Sequence, residues 1–296
     1  MDDDDEVLRP VAERLPAQRA VEGDGFVVRR PFPTLRRSYV DPFLLFDHMG
    51  PVDYGPGEAV GTPVHPHRGF QTVSYLLAGE LEHRDSLGNH GFLGVGDTQW
   101  MTAGRGVVHQ EGPSEAMRRR GGRVHGLQLW VNLPASEKMR PADYQDIRAT
   151  EVALVEPAPG VLARVVAGAA FGATGPGRTV TPITYTHLTL APGSSATTAL
   201  PADHTVVVYP MVGNCTVGGP EADGGGTVLD EGVMAVLGPG SAVRLQGPAG
   251  TDVPAEVILL SGRPIGEPVS REGPFVMNTR AEVLQAFEDY RTGQFL

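Results

Sequence analysis

The chain of 296 residues is long enough for two domains or for one large β protein. Its formal net charge of −11 argues against binding to nucleic acid through overall charge. The 39 glycines and 26 prolines favour many short strands and turns over long helices, and no run of about 18 apolar residues predicts a membrane span.

The ends of the chain and its single cysteine give an expectation about location. Cys215 stands alone, which excludes an internal disulfide and suits a reducing compartment. Four aspartates at residues 2–5 begin the chain, without the basic and apolar parts of a secretory signal. We therefore expect a cytoplasmic protein whose residues 1–20 form a disordered acidic tail.

The first half of the chain reads as a series of strands. They are predicted at residues 25–30, 41–50, 71–77, 80–85, 90–95, 98–101, 107–111 and 126–132. The strands at 71–77 and 80–85 are predicted to form a hairpin across Ala78 and Gly79. Residues 118–122 are predicted to be an exposed basic loop, and Trp130 is expected to pack in a core.

The second half repeats the first in outline. Residues 73–79 match residues 207–213 at an offset of 134, which indicates two copies of one fold. The same offset carries two candidate ligand pairs of the first half onto residues of other types: His65 and His67 onto Ala199 and Pro201, and His109 and Glu111 onto the neighbourhood of Val243 and Leu245. The second copy is therefore predicted to hold no metal, with structural roles for His187 and His204.

A helix is predicted near the end of the chain. Thr279 can cap its first turn, with Glu282 as the capping-box partner, and the helix should reach about Tyr290. Val283, Phe287 and Tyr290 recur at helical spacing and are expected to form its buried face.

Two short pieces of the first copy carry residues that can bind a metal. Side chains at positions i and i+2 of a strand point to the same face, so His65 and His67 share one side, as do His109 and Glu111. Two adjacent strands would gather three imidazoles and a carboxylate, a set that suits Fe(II), Mn, Ni, Cu or Zn. We predict His65, His67, His109 and Glu111 as the metal ligands.

The motifs around these residues resemble the pirin family of the cupin superfamily. The resemblance rests on residues 65–70 (HPHRGF), 72–77, 96–106 (GDTQWMTAGRG), 109–111, 125–133 and 273–279 (GPFVMNT). It implies an all-β fold of two tandem cupin barrels, each a double-stranded β-helix or jelly roll, with a short C-terminal helix. It also implies one Fe(II) held by His65, His67, His109 and Glu111.

The resemblance and the repeat together give domain bounds. We expect the tail at 1–20, the metal-binding cupin at 21–135, a connection at 136–180, the metal-free cupin at 181–265, and an extension with a helix at 266–296. Two barrels in one chain also lead us to expect a monomer.

Pirin relatives are associated with quercetin 2,3-dioxygenase activity, so the resemblance implies a flavonol substrate and O2. Glu111 is then the expected catalytic base, and Val73, Tyr75 and Leu77 are expected to line the barrel beside the substrate. The chain departs from the family at Gln71, where glutamate is usual. We expect Gln71 to lie behind the ligands or to line the cavity.

Other assignments stay open at this point. A structural role is favoured for His83, Asp85 and His90, with a place behind the metal ligands or at the cavity rim as the alternative. Other pirins are described as iron-dependent regulators that bind a transcription factor or a metabolic enzyme, which is the alternative function. A sugar or small-acid isomerase on the same barrel has no motif of its own.

Overall fold

The computed structural model describes residues 6–219 and 225–296, and their regular secondary structure is mostly β-strand. The strands, in chain order, are β1 (Val11–Pro16), β2 (Gln18–Glu22), β3 (Phe26–Phe32), β4 (Phe43–Tyr54), β5 (His65–His67), β6 (Phe70–Ala78), β7 (Leu81–Asp85), β8 (His90–Leu93), β9 (Thr98–Thr102), β10 (Val107–Pro113), β11 (Gly122–Asn132), β12 (Asp143–Ile147), β13 (Ala153–Ala158), β14 (Val161–Ala167), β15 (Ala169–Ala170), β16 (Ala173–Thr174), β17 (Ile183–Leu190), β18 (Ser195–Ala199), β19 (Thr205–Val212), β20 (Cys215–Val217), β21 (Thr227–Leu229), β22 (Val233–Leu237), β23 (Ala242–Gln246), β24 (Ala255–Gly262), β25 (Ser270–Glu272) and β26 (Phe275–Met277). The helices are α1 (Glu115–Arg120) and α2 (Arg280–Thr292), and Ala135–Glu137 forms a 3₁₀ turn.

These elements form two compact units. The first barrel comprises Gln18–Thr150 and Ile265–Leu296, and the second barrel comprises the described residues up to Ala17 together with Glu151–Pro264. Each unit is built from one seven-stranded and one four-stranded sheet, as expected for a cupin barrel. None of the helices in the described residues is long and apolar enough to cross a membrane.

The sheet orders confirm the internal repeat. In the first barrel the large sheet runs β12-β9-β6-β11-β4-β3-β2 and the small sheet β5-β10-β7-β8. In the second barrel the corresponding orders are β1-β22-β19-β24-β17-β14-β13 and β18-β23-β20-β21. The matched segments 73–79 and 207–213 thus fall largely on β6 and β19, which hold the same place in the two sheets.

Two segments expected to be irregular are strands. Within the predicted tail, β1 pairs with β22 in the second barrel, with Leu15 buried, and β2 pairs with β3 in the first. Leu15 is buried, and Val11 on the same face of β1 packs against the core of the second barrel, which is why this segment joins a sheet rather than fraying. Residues 1–5 lie outside the described part of the chain. Within the predicted connection 136–180, β12 extends the large sheet of the first barrel by pairing with β9.

The predicted hairpin across Ala78 and Gly79 is wrong. β6 pairs with β9 and β11 in the large sheet, whereas β7 pairs with β10 and β8 in the small sheet. The chain changes sheet at Gly79, whose φ of +98° belongs to the region that glycine enters readily. A turn between two sheets and a hairpin turn look alike in sequence because both need such a residue.

The basic segment at residues 118–122, which was predicted to be an exposed loop, lies partly in a helix. Residues 115–120 form α1, with Ser114 accepting a hydrogen bond from the Met117 N–H and Met117 buried below. Three arginines in the last turn suit the negative end of the helix dipole.

The C-terminal segment returns to the first barrel. Thr279 and Glu282 form the predicted capping box of α2, and Val283 is buried. Tyr290 is 42% exposed and Phe287 only partly buried, while Ala286 is fully buried, so the buried face lies closer to Val283 and Ala286 than predicted. Val283 and Ala286 form one apolar cluster with Phe275, Met277 and Phe295, and Phe287 packs against it.

Candidate metal centre

Pairing of β5 with β10 brings the predicted histidines together. The register places His65 opposite His109 and His67 opposite Val107. Strand alternation then turns His65, His67 and His109 toward the same face. One nitrogen from each of these three imidazoles lies within 4.8 Å of the others, and this is the one such group of potential metal ligands found among the described residues.

The hydrogen bonds of the rings leave the Nε2 atoms free to bind a cation. His65 Nδ1 lies 2.8 Å from the Pro63 carbonyl, and His67 Nδ1 lies 3.4 Å from the Pro274 carbonyl. A carbonyl accepts but cannot donate, so each Nδ1 carries the hydrogen and each Nε2 carries a lone pair. These two Nε2 atoms are 3.0 Å apart, an approach that a shared cation would stabilise.

The third imidazole points to the same conclusion. His109 Nε2 is buried and has no hydrogen-bond partner in the part of the chain that the structure describes. A buried nitrogen without a partner is costly unless something else occupies its lone pair. The donor set and the unpartnered atom both fit a divalent transition metal.

The protonation state of the site also suits a metal. Burial, followed by the charges of neighbouring imidazoles, lowers the pKa values of His67 and His109 well below 6.5. Both rings are therefore neutral at neutral pH, the form that coordinates a metal.

Glu111 borders the same pocket but its carboxylate is held by other partners. One oxygen accepts from Gln128 Nε2, and the other accepts from the Ser74 hydroxyl at 3.3 Å. The carboxylate is not part of the three-histidine group. Its role as fourth ligand or as base stays a prediction.

The loop after His67 is fixed by two buried cations of the first barrel. Lys138 donates to the carbonyls of Gly69 and Val276 and to Asn132 Oδ1, at 2.7–3.1 Å. Arg68 donates to Asp289 Oδ2 at 2.6 Å, to the Arg105 carbonyl and to the Phe295 carbonyl. The C-terminal segment thereby holds β5 in place.

A pocket of about 400 Å³ opens beside the histidines. Its uncharged lining includes Phe26, Leu45, Thr62, Gln128, Trp130 and Pro274 beside His65 and His67, and its charged lining consists of Glu22, Arg30, Asp47, Glu111 and Arg271. The Trp130 ring centroid lies 5.2 Å from that of His67. The prediction that Trp130 packs in a core is therefore incomplete, because the ring also forms a wall of this pocket.

The predicted lining by Val73, Tyr75 and Leu77 is wrong by one position. On β6 the ring of Phe70 contacts His67, and Ser74 bonds Glu111, so the even-numbered residues face the site. The odd-numbered residues lie on the opposite face. Gln71 is among them: it is buried and donates to Thr102 Oγ1 at 2.7 Å, so it does not line the cavity.

His83 lies directly behind a predicted ligand. Its Nδ1 is 3.4 Å from His109 Nδ1, and its Nε2 is 3.7 Å from Asp85 Oδ2. His90, by contrast, is exposed and bonds Glu82 at 2.8 Å. The sequence favours the same structural role for His83, Asp85 and His90. Their positions on predicted strands do not show which of the three side chains points into the barrel.

The second barrel is apolar at the corresponding place. Val243 and Leu245 on β23 are fully buried in a hydrophobic cluster with Ala196 and Leu200. His187 bonds Glu256 at 2.7 Å and His204 bonds Ser261 at 2.8 Å, as expected for structural histidines.

Comparison with protein families gives two matches on this chain. The Pirin family matches residues 25–131, and the family described as Pirin C-terminal cupin domain matches residues 185–296. The chain belongs to the pirin family. Among related pirins, "Pirin-like protein 2" of Arabidopsis thaliana is 37% identical over 98% of this chain and 86% of its own length. "Pirin" of Homo sapiens is 39% identical over 92% of this chain and 89% of its own length.

Solved structures show the same pirin architecture. The crystal structure of a protein from Acinetobacter baumannii, named quercetin 2,3-dioxygenase, superposes with a TM-score of 0.88 and is 34% identical. The superposition covers 97% of this chain and 98% of the Acinetobacter baumannii chain. The expected two-barrel fold of the pirin family is thus confirmed.

Proposed function

We propose that this pirin is a metal-dependent dioxygenase that opens flavonols such as quercetin with O2. The observation that carries the proposal is the group of three imidazoles, His65, His67 and His109, each with one nitrogen within 4.8 Å of the others, beside a pocket of about 400 Å³. The similarity to a protein named quercetin 2,3-dioxygenase supports the substrate class.

His65, His67 and His109 would hold the metal, with Glu111 as the fourth ligand or as the base. A bound Fe(II) or related divalent ion supplies a Lewis acid and a site at which O2 and the substrate react. Trp130 and Leu45 would flank the aromatic rings of the flavonol and exclude water.

Glu111 is the carboxylate of the site best placed to move a proton. It would take the proton of the flavonol hydroxyl onto the oxygen that Ser74 faces, while Gln128 fixes the other oxygen. Two fixed hydrogen bonds orient the carboxylate before the substrate arrives, which favours proton transfer along one line.

The test is flavonol loss under controlled oxygen. Protein loaded anaerobically with Fe(II) should consume quercetin only after O2 is admitted, with one ring-opened product and one carbon monoxide per O2. His109→Ala should lose both metal and activity, and Glu111→Gln should lower kcat by about 100-fold or more. Absence of turnover with Fe, Mn, Ni, Co and Cu each loaded would contradict the proposal. It would favour the alternative, an iron-dependent regulator, which a protein pull-down with wild type and His109→Ala would then test.

A further inference from the structure

The pocket beside the three histidines contains two arginines in different electrostatic situations. Arg30 is neutralised: its guanidinium donates to both oxygens of Asp47, at 2.7 and 2.6 Å, and also to Glu22. Such a bidentate pair leaves little charge for a ligand. Arg30 is therefore a structural cation of the pocket wall.

Arg271 is held differently. Its Nη1 donates to the Leu44 carbonyl at 3.2 Å, and its Cζ lies 4.5 Å from the ring centroid of Trp130. No carboxylate within the described residues lies within ion-pairing distance of it, although Asp47 and Glu22 act on it from further away. A charge that is mostly buried without a direct counter-ion is costly to the fold, and such groups cluster where ligands bind.

The guanidinium remains charged in this setting. Burial, followed by the repulsion of Arg30, lowers the pKa of Arg271 to about 10, so it is cationic at neutral pH. It is also one ring away from the proposed metal ligands, because Trp130 contacts both the guanidinium of Arg271 and the imidazole of His67.

We propose that Arg271 is a specificity-determining residue that selects planar aromatic substrates carrying an anionic oxygen, a phenolate or a carboxylate, at the end remote from the metal. This rests on the proposed function for the identity of the substrate, but the binding preference itself needs no turnover. Charge-assisted hydrogen bonds to a guanidinium supply the preference for an anion over a neutral group of the same shape.

The test compares matched ligands under anaerobic conditions. We would titrate Zn(II)-loaded protein with 3-hydroxyflavone bearing a carboxylate or a carboxamide at the 4′ position, and with a second pair substituted at the 7 position. Binding is followed by the flavonol absorbance. For at least one pair, wild type should prefer the carboxylate by about 10- to 100-fold. Arg271→Gln should reduce that ratio to within about twofold, and Arg271→Lys should keep part of it.

Controls separate this effect from general charge and from folding. Arg36→Gln removes one exposed positive charge from the same barrel and should leave the ratio unchanged. Metal content and thermal unfolding of the Arg271 variants show whether the site is intact. If Arg271→Gln does not fold, the carboxylate preference is compared between wild type and Arg271→Lys instead. An unchanged ratio in Arg271→Gln for both pairs would overturn the proposal.

The result is distinguishable from failure of the dioxygenase. If quercetin is never consumed but the carboxylate preference depends on Arg271, the proposed reaction fails and the binding role holds. If quercetin is consumed and the carboxylate preference is the same in wild type and Arg271→Gln, the reaction holds and the binding role fails.

Discussion

The Nδ1 atoms of His83 and His109 lie 3.4 Å apart in the interior of the first barrel. If His109 binds metal through Nε2, its Nδ1 must donate to His83, which then turns its own N–H toward Asp85, 3.7 Å away. His83 is thus a positioning residue that fixes the tautomer of a ligand. We expect His83→Phe to weaken metal binding by about 10- to 100-fold, as measured by competition with a chelator.

Two companion variants make that measurement specific. His83→Gln retains an acceptor for the His109 N–H and should recover part of the affinity. His90→Phe, on the neighbouring strand but exposed and bonded to Glu82, should bind metal as wild type does. Equal affinities in His83→Phe and wild type would show that His83 does not orient His109.

The loop after His67 should tolerate no side chain at Gly69. Its φ is +88°, and an added Cβ would lie 2.0 Å from the Val276 carbonyl oxygen. Gly57 has a similar φ of +83° with open space around it, so it is the matched control. In urea unfolding, Gly57→Ala should cost about 1 kcal/mol through backbone conformation alone. Gly69→Ala should cost clearly more, and equal costs would contradict the close approach of β26.

The C-terminal helix should stabilise the metal-binding strand through Arg68. Asp289→Asn leaves the buried guanidinium of Arg68 without its carboxylate and should lower the free energy of unfolding by about 1–3 kcal/mol. The adjacent Glu288 pairs with Arg291 at the surface, and Glu288→Gln should change stability by less than about 0.5 kcal/mol. Similar losses in the two variants, compared by chemical denaturation, would show that the Arg68–Asp289 ion pair does not stabilise the first barrel.

The metal-free protein should lose stability in acid partly through His48. Burial, then the charges of Arg29 and His125, lower the pKa of His48 to about 2. The unfolded chain takes up this proton near pH 6.5 and the folded chain does not, so stability is present above that pH and is lost as pH falls. We would measure unfolding in the presence of a chelator. Below about pH 6, the free energy of unfolding of wild type should fall by about 1.4 kcal/mol per pH unit more than that of His48→Gln. Parallel pH profiles for the two proteins would contradict this.

Local spacing predicted the internal repeat and the three histidines, whereas the cupin fold was expected from the resemblance of the motifs to the pirin family. The repeat between residues 73–79 and 207–213 and the i, i+2 pairing of His65 with His67 need no knowledge of long-range contacts. The face of β6 was assigned wrongly, because alternation fixes which residues share a face but not which face turns inward. Arg271 could not be predicted, since it reaches the pocket from β25, far along the chain.

The proposed function requires a single metal centre formed by His65, His67 and His109 in the first barrel. The most direct test is anomalous diffraction, at the metal absorption edge, from crystals of the protein loaded with one equivalent of Fe(II) or Co(II). We predict one strong peak in contact with the Nε2 atoms of all three histidines, and its loss in His109→Ala. A peak elsewhere, or one that persists in His109→Ala, would contradict a metal centre at these three histidines.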